Sequence, residues 1–381
     1  MTVKLYENDA YIKEFEATVL SCDETDGGYC VVLDKTAFFP EGGGQQADTG
    51  YIGDAEVLDV QEKDSVITHK VDKALTVGET VSCKLDWDIR FARMQGHTGE
   101  HLVSGIIHSM YGYDNLGFHM SDKTMTLDPS GILTASDIKE IELRANKAIY
   151  ENREVTAYYP ETSTLDTLSY RSKLDLKEGV RLVNIDGYDL CACCAPHVHR
   201  TGEIGLIKII DFIQYKGGMR LTMVCGINAF EDYSKLHDDN KEMMHTLSAS
   251  RDKVLEFVLR DHELIGTQKA EINRLCAELS KANLDTTVIN DTLVGFTVGA
   301  SFDDMRALVN DSLDKADKVA LFSQGENNDY SYIISSSSLD IRDIVKELNS
   351  SFAGKGGGRP NYAQGKITAE KEDVLKFFEN L

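Results

Sequence analysis

The 381-residue chain lacks a run of roughly eighteen apolar residues, so it offers no membrane-spanning helix. Its first residues, MTVKLYENDAYIKEFEATVL, contain no apolar stretch of the kind a secretory signal needs. Proline is scarce, at 5; with 42% hydrophobic and 27% charged residues the composition is globular, enough for two or three domains. Positive charge is in deficit: 40 Lys and Arg stand against 63 Asp and Glu, a formal net charge of −23. That balance argues against general nucleic-acid binding, which wants a basic face. It leaves room for RNA, because a local basic groove can sit on an acidic protein. The 8 cysteines, three of them within residues 191–194, do not form the spaced framework of a disulfide-stapled secreted domain. A reducing, cytoplasmic setting is expected, where clustered cysteines more often hold metal.

What is present divides into four stretches. Residues 1–88 read as a β-rich barrel domain. EATVLSCD, YCVVLDKTAFF and EVLDVQEKDSVITHKV alternate or are β-branched between Gly/Asp turns, and DGG at 26–28 suits a hairpin. EGGGQ at 41–45 is a loop that needs glycine torsions or close backbone approach. A helix is expected over 88–112, with Asp88 as N-cap and Gly112 as its stop. Its internal glycines cost helix propensity, which points to close packing or a site beside it. A second helix over 136–152 and strands near 155–159, 180–185 and 205–213 complete a domain at 89–229. Residues 230–285 form a mostly polar helical arm, one long helix or a hairpin. Met244, Val258, Ile265, Ile272 and Leu279 recur there at multiples of seven, with Leu247, Val254 and Leu275 as a companion row. Arg251, Asp261 and Gln268 interrupt those rows, so a coiled coil and an amphipathic helix packed on its own chain both fit. Residues 286–381 read as α/β, with a glycine loop GKGGGRPNYAQG and a last helix over 369–380. The fold class is α+β.

The chemistry concentrates in LCACCAPHVHRTGEIG, residues 190–205, which packs Cys191, Cys193, Cys194, His197 and His199 into nine positions. Upstream, His97 and His101 in HTGEH stand at i and i+4 of the expected helix, on one face and one turn apart. Cys193 and His197 are also four apart. Together the pairs supply three imidazoles and one thiolate, a set that suits tetrahedral zinc. Spacing alone leaves Cys194 open as a ligand. Glu100, beside His101, is the natural general-base candidate; a surface helix carboxylate is the bland alternative. Lys355, Gly356, Gly357, Gly358 and Arg359 form a candidate phosphate cradle of backbone N–H groups beside two cations, with loop packing as the alternative.

VRLVNIDGYDLCACCAPHVHRTGEIG, GHTGEHL and LDKTAFFPEGGGQQADTG resemble the AlaX family, free-standing relatives of the alanyl-tRNA synthetase editing domain. AGKGGGRPNYAQG resembles the DHH-associated domain that ends the long form of that family. The resemblance spans nearly the whole chain. The family pattern runs approximately Asp-x-x-Ala-Cys-Gly-Gly-Thr-His-Val-x-x-Thr-Gly-Glu-Ile. It selects Cys193 and His197 as ligands with His97 and His101, and it makes Cys191 and His199 bystanders. Cys194-Ala195-Pro196 replace Gly-Gly-Thr here, which leaves a second thiol beside the metal. It further implies that Gly42, Gly43, Gly44 and Gln45 contact the editing pocket, and that the Thr36 hydroxyl recognises a serine side chain.

The implied activity is hydrolysis of the ester in mischarged Ser-tRNA(Ala), with Gly-tRNA(Ala) a second cargo and Ala-tRNA(Ala) spared, using one Zn2+ per chain. The synthetase's ATP-binding domain would precede this stretch, so editing without aminoacylation is expected. The arm and the C-terminal domain would hold the tRNA and form a homodimer. Two rivals remain. HTGEH also satisfies H-x-x-E-H, the inverted zinc-peptidase pattern, which needs a downstream acidic ligand. An RNA-binding or dimerisation module with a structural zinc would use the same ligand set.

Overall fold

The computed structural model describes residues 1–165, 167–172, 179–325 and 329–381. The mixed α+β chain forms two compact units, Met1–Asn240 and Lys241–Leu381.

The first unit opens with β1 (Val3–Lys4), α1 (Leu5–Asn8), β2 (Glu14–Thr25), β3 (Gly28–Leu33), β4 (Lys35–Thr36), β5 (Gly50–Ile52), β6 (Ala55–Lys63), β7 (Val66–Val71) and β8 (Thr80–Leu85). Six of these strands make a barrel in the order β2-β3-β7-β6-β5-β8, with β8 pairing back onto β2. Alternation explains the inside: Ile67, His69 and Val71 of β7 and Val81, Cys83 and Leu85 of β8 all point inward. The thinnest seam is three-residue β5. There Gly50, at φ 149°, lies too close to the Lys84 carbonyl for any Cβ.

Helix α2 (Trp87–Tyr111) follows. Its N-cap is Asp86, not Asp88, which lies in the first turn. The Asp86 carboxylate accepts from the Thr49 hydroxyl at 2.6 Å, so it ties the helix start to the barrel. Gly112 ends the helix at φ 70°. The internal glycines are explained by packing: a Cβ on Gly96 would meet Met125 Cε at 2.7 Å, and one on Gly105 would meet Asp189 Cβ at 2.7 Å.

Around α2 come β9 (Asn115–Met120), β10 (Met125–Pro129), α3 (Ala135–Glu151), β11 (Val155–Tyr158), α4 (Thr162–Leu165), β12 (Leu182–Ile185), β13 (Asp189–Ala192), β14 (Ile207–Tyr215), β15 (Gly218–Cys225) and α5 (Gly226–Leu247). Two antiparallel sheets result, β14-β15-β10-β9 and β11-β12-β13. Leu102, Ile106, Ile141, Ile185, Leu221 and Met223 join both helices and both sheets in one core. Burying each such side chain stabilises the unit by about 1.5–3 kcal/mol. A capping box between Thr134 and Asp137 starts α3.

The second unit contains α6 (Val254–Ala282), β16 (Asp285–Ile289), β17 (Thr292–Val298), α7 (Phe302–Leu313), β18 (Lys318–Gln324), β19 (Asp329–Ser336), α8 (Arg342–Ser351), β20 (Lys355–Arg359), β21 (Tyr362–Thr368) and α9 (Lys371–Glu379). The sheet order is β16-β17-β18-β19-β21-β20; β17 and β18 are parallel and the other neighbours antiparallel. Central β18 is buried on both faces, Phe322 in one core and Leu321 in the other. The helical arm breaks at 248–253, between α5 and α6. Val258, Ile265, Ile272 and Leu279 of α6 are all exposed.

Candidate metal centre

Helix α2 places His97 and His101 one turn apart on its buried face. The loop after β13 supplies Cys193 and His197. Each of the four offers one ligand atom, and these atoms lie within 4.8 Å of one another. Cys193 Sγ is 3.6 Å from His97 Nε2 and 3.4 Å from His197 Nε2. An ion held tetrahedrally at about 2.0–2.3 Å would set its donors roughly 3.3–3.8 Å apart. The four could therefore hold a metal ion.

A ring of partners fixes which nitrogen each imidazole presents. His97 Nδ1 bonds Gln45 Oε1 at 2.9 Å. His101 Nδ1 bonds Asp189 Oδ2 at 3.3 Å. His197 Nδ1 lies 3.0 Å from Thr98 Oγ1, whose own proton goes to the Met94 carbonyl at 2.8 Å. With Nδ1–H donating to these partners and a metal ion bound, each Nε2 would present a lone pair to the centre, the arrangement that orients metal-binding histidines. Burial opposes ionisation of the Cys193 thiol, but the three imidazoles outweigh it and hold its pKa well below the usual thiol range. Burial likewise disfavours a charged His101, yet Cys193 and Asp189 carry its pKa well above the ordinary value. Burial dominates at His197 and pushes it down to about 3.

The loop itself is clamped. Arg181 Nη1 donates to the carbonyls of Cys193 at 3.1 Å and Ala195 at 2.9 Å. His101, Asp189 and Cys191 make a second grouping. There, however, Arg171 grips Asp189 through Nε and Nη2, both at 2.7 Å, and also reaches Ser104 Oγ at 2.7 Å. A cation would meet that guanidinium, so this triad supports His101 from outside the centre. Cys194 is exposed and belongs to neither grouping.

Glu100 is buried, at 4% exposure, so the bland surface alternative fails. Its Oε1 accepts from Asn115 Nδ2 at 2.6 Å, while Oε2 lies 3.9 Å from His101 Nε2. A carboxylate with one oxygen tethered and the other facing the donor cluster is placed to take a proton there. The peptidase pattern finds no support in this geometry. The acid nearest His101, Asp189, sits on Nδ1 and is held by Arg171.

Comparison with known proteins matches three family models along the chain. They are tRNA synthetases class II (A) over residues 6–89, the threonyl and alanyl tRNA synthetase second additional domain over 180–226, and the DHHA1 domain over 288–381. The chain is 28% identical to the alanyl-tRNA editing protein AlaX-L of Pyrococcus horikoshii, over 98% of this chain and 97% of that one. Along nearly its whole length the chain is thus similar to a long-form AlaX protein, with the three matched domains in order. It is also 32% identical to the alanine–tRNA ligase of Pyrococcus abyssi and 30% to that of Ignicoccus hospitalis. It spans only 42% and 43% of those two proteins' lengths.

The barrel loop 42–45 lies against the donor cluster. Gly42 and Gln45 bridge each other, and the turn between them needs Gly43 at φ 61° and Gly44 at φ 86°. A Cβ on Gly43 would come within 3.9 Å of His97 Cε1, and one on Gly44 would meet the Phe118 carbonyl at 2.6 Å. Gln45 is buried, and its Nε2 has no hydrogen-bond partner among the described residues. Arg90 locks the loop to α2 through Asp48 and the Ala37 and Ala10 carbonyls. Thr36 is fully buried in the barrel. Its hydroxyl accepts from Phe38 N–H at 3.1 Å and pairs with His69 Nε2 at 2.9 Å. Contact with a substrate hydroxyl would use its remaining lone pair.

The expected glycine loop at 354–359 is corrected by the structure: Lys355–Arg359 is an edge strand, fully exposed. Two of its glycines are demanded by packing, since a Cβ on Gly356 would collide with the Tyr332 hydroxyl and one on Gly358 with the Tyr362 carbonyl. Gly357 faces open space, and with Arg342, Lys346 and Asn349 of α8 it borders a cleft of ≈ 430 Å³. The sequence reading missed Thr98, Asn115, Arg171, Arg181 and Asp189 as participants. Only Asp189 carried a signal, as the first residue of the family pattern around Cys193.

Proposed function

We propose that the chain is a trans-editing deacylase that hydrolyses the ester of serine, and also glycine, mischarged on tRNA(Ala), sparing Ala-tRNA(Ala). The observation that carries it is the cluster of buried His97, His101 and His197 with half-buried Cys193, each imidazole partnered on Nδ1, with Glu100 beside it. The name of the AlaX-L relative supports the same substrate class. Three nitrogens and one thiolate suit Zn2+, which when bound polarises a carbonyl or lowers the pKa of a water.

The chain's own residues do the rest. Glu100 Oε2 takes the proton of the attacking water, while Asn115 holds the other oxygen. The spare N–H group of Gln45 donates to charge that develops on the ester oxygen. Thr36 accepts the serine hydroxyl; alanine offers a methyl there and gains nothing. Lys355 and Arg359 contact RNA phosphates from the exposed strand. The exposed row Val258, Ile265, Ile272 and Leu279 pairs with a second copy. Among the described residues no helix is long and apolar enough to cross a membrane, and a cytoplasmic location fits a tRNA substrate.

The test is release of amino acid from Ser-, Gly- and Ala-tRNA(Ala) by the purified chain, beside a zinc count. Serine release with alanine retained, in a chain carrying one zinc, is expected. A zinc-loaded chain that binds tRNA and releases nothing would instead make the metal structural and the protein a binding module.

A further inference from the structure

The metal loop continues past His197 to His199, a histidine for which the deacylase reading has no use. His199 is exposed, and its ring stacks on Tyr11 at 4.1 Å between centroids and 23° between planes. Tyr11 is pinned: its hydroxyl donates to Glu203 Oε2 at 2.6 Å and accepts the His199 backbone N–H at 3.2 Å. Trp87 and Phe91 of α2 back Tyr11 at 5.5 and 6.3 Å. The His199 carbonyl is held by Val155 N–H at 2.8 Å. The backbone is thus fastened on both sides, while the ring faces solvent at the end of a four-ring cluster in which only His199 and Tyr11 are stacked face to face. Two cations flank the cluster. Lys13 Nζ sits 4.5 Å over the Trp87 ring, and exposed Arg200 follows His199, donating to the Asn152 carbonyl at 2.7 Å. Two acids touch Tyr11: Glu203 has both oxygens engaged, by the Tyr11 hydroxyl and by Arg200 N–H at 2.9 Å, and Asp9 Oδ1 accepts the Tyr11 backbone N–H at 2.8 Å.

A rigid pedestal of rings with an open end and nearby positive charge is the chemistry that binds an unpaired nucleobase. We infer that His199, stacked on Tyr11 two residues beyond the metal donor His197, is a platform for the terminal base of the RNA 3′ end. This rests on the deacylase reading above and adds the subsite that seats the end of the strand beside the metal centre. Stacking needs a flat ring and no proton, so another aromatic side chain serves and a small one does not.

Trp87 is the single tryptophan of the chain and lies in the cluster, so its fluorescence reports the site. The full-length protein is titrated with the trinucleotide CCA and with the same trinucleotide lacking its 3′ base, as wild type, His199→Ala and His199→Phe. Saturable quenching by CCA is expected in the wild type. It should weaken about ten-fold in His199→Ala and hold in His199→Phe. KM for Ser-tRNA(Ala) should follow the same order at unchanged kcat, with zinc content equal in all three. Equal CCA binding by His199→Ala and wild type, or no loss when the terminal base is removed, overturns the platform. In that event serine release by the wild type would still stand for the deacylase reading. Base-dependent binding through His199 in a chain that releases no serine keeps the platform and rejects that reading.

Discussion

The two units bury different kinds of polar group. In Lys241–Leu381 the buried polar side chains among the described residues are hydroxyls: Ser280, Thr292, Thr297, Ser312, Ser323, Ser335 and Ser336. In Met1–Asn240 they include Asp48, His69, Arg90, His97, Glu100, His101, Arg181, Asp189 and His197. A buried charge costs several kcal/mol unless it is paired, whereas a hydroxyl is satisfied by one backbone carbonyl. Ser312 bonding the Leu308 carbonyl at 2.7 Å is an example of the cheap case. The first unit tolerates many of the expensive groups because they are matched, Asp48 through Oδ2 by Arg90, Asp189 by Arg171 and each cluster histidine by a hydrogen-bond partner on Nδ1. Chemistry is therefore expected in the first unit and contact alone in the second.

The hardest blow to that contrast is removal of a donor. Cys193→Ala should lose bound zinc by more than the roughly 10- to 100-fold typical of outer partners, and lose deacylation with it. Competition with a chromophoric chelator measures the first and serine release the second. A variant that kept its metal would mean Cys194 had replaced Cys193. Glu100→Gln separates chemistry from architecture. Glutamine keeps the Asn115 contact, so zinc content should hold while kcat falls by about 10²–10⁴. An unchanged kcat would return Glu100 to a packing role.

The contrast also has a pH signature. Burial lowers the His69 pKa to about 4. Above pH 6.5 both folded and unfolded chains hold it neutral. Below that the unfolded chain binds a proton that the barrel refuses, so stability falls as pH drops from 6.5 towards 4. The loss reaches about 3 kcal/mol over that window. Acid denaturation followed by circular dichroism should show it, and His69→Gln should remove this histidine's share of the slope while leaving that of His197, which burial lowers to about 3.

How far the sequence went follows the same division. The i, i+4 spacing of His97/His101 and of Cys193/His197 is local, so the ligand pairs were legible. Their convergence across about ninety residues was inferred from the complementary donor set, and resemblance then chose Cys193 over Cys194. The Nδ1 partners come from other elements, Gln45 from the barrel loop and Asp189 from β13, and no spacing rule links them to the histidines. Lys355–Arg359 was misread for a physical reason. Glycine is a poor strand former, so three in a row suggest a loop. Here pairing with β21 and the tight approach of Tyr332 overrule propensity. Asp88 failed as N-cap because Asp86, two residues earlier, is bonded by Thr49.

Asp189→Asn sharpens the view that the partners matter. Asparagine can still accept from His101 but no longer neutralises Arg171. Zinc affinity should fall about 10- to 100-fold with Glu100 chemistry otherwise intact. Full affinity in this variant would leave His101 oriented by packing alone.

The smallest effect belongs to the second unit. Lys355 and Arg359 are exposed at either end of an edge strand and form no ion pair among the described residues. If they only meet phosphates, replacing both by Ala should raise KM for Ser-tRNA(Ala) a few-fold, leaving kcat and zinc untouched. The salt dependence is the sharper readout: two lost phosphate contacts lower the slope of log K against log salt by about 1.5. A fall in kcat would place this strand in the chemistry and break the division between the units. An unchanged slope would leave Gly356 and Gly358 with packing as their whole explanation and Gly357, which faces open space, with none.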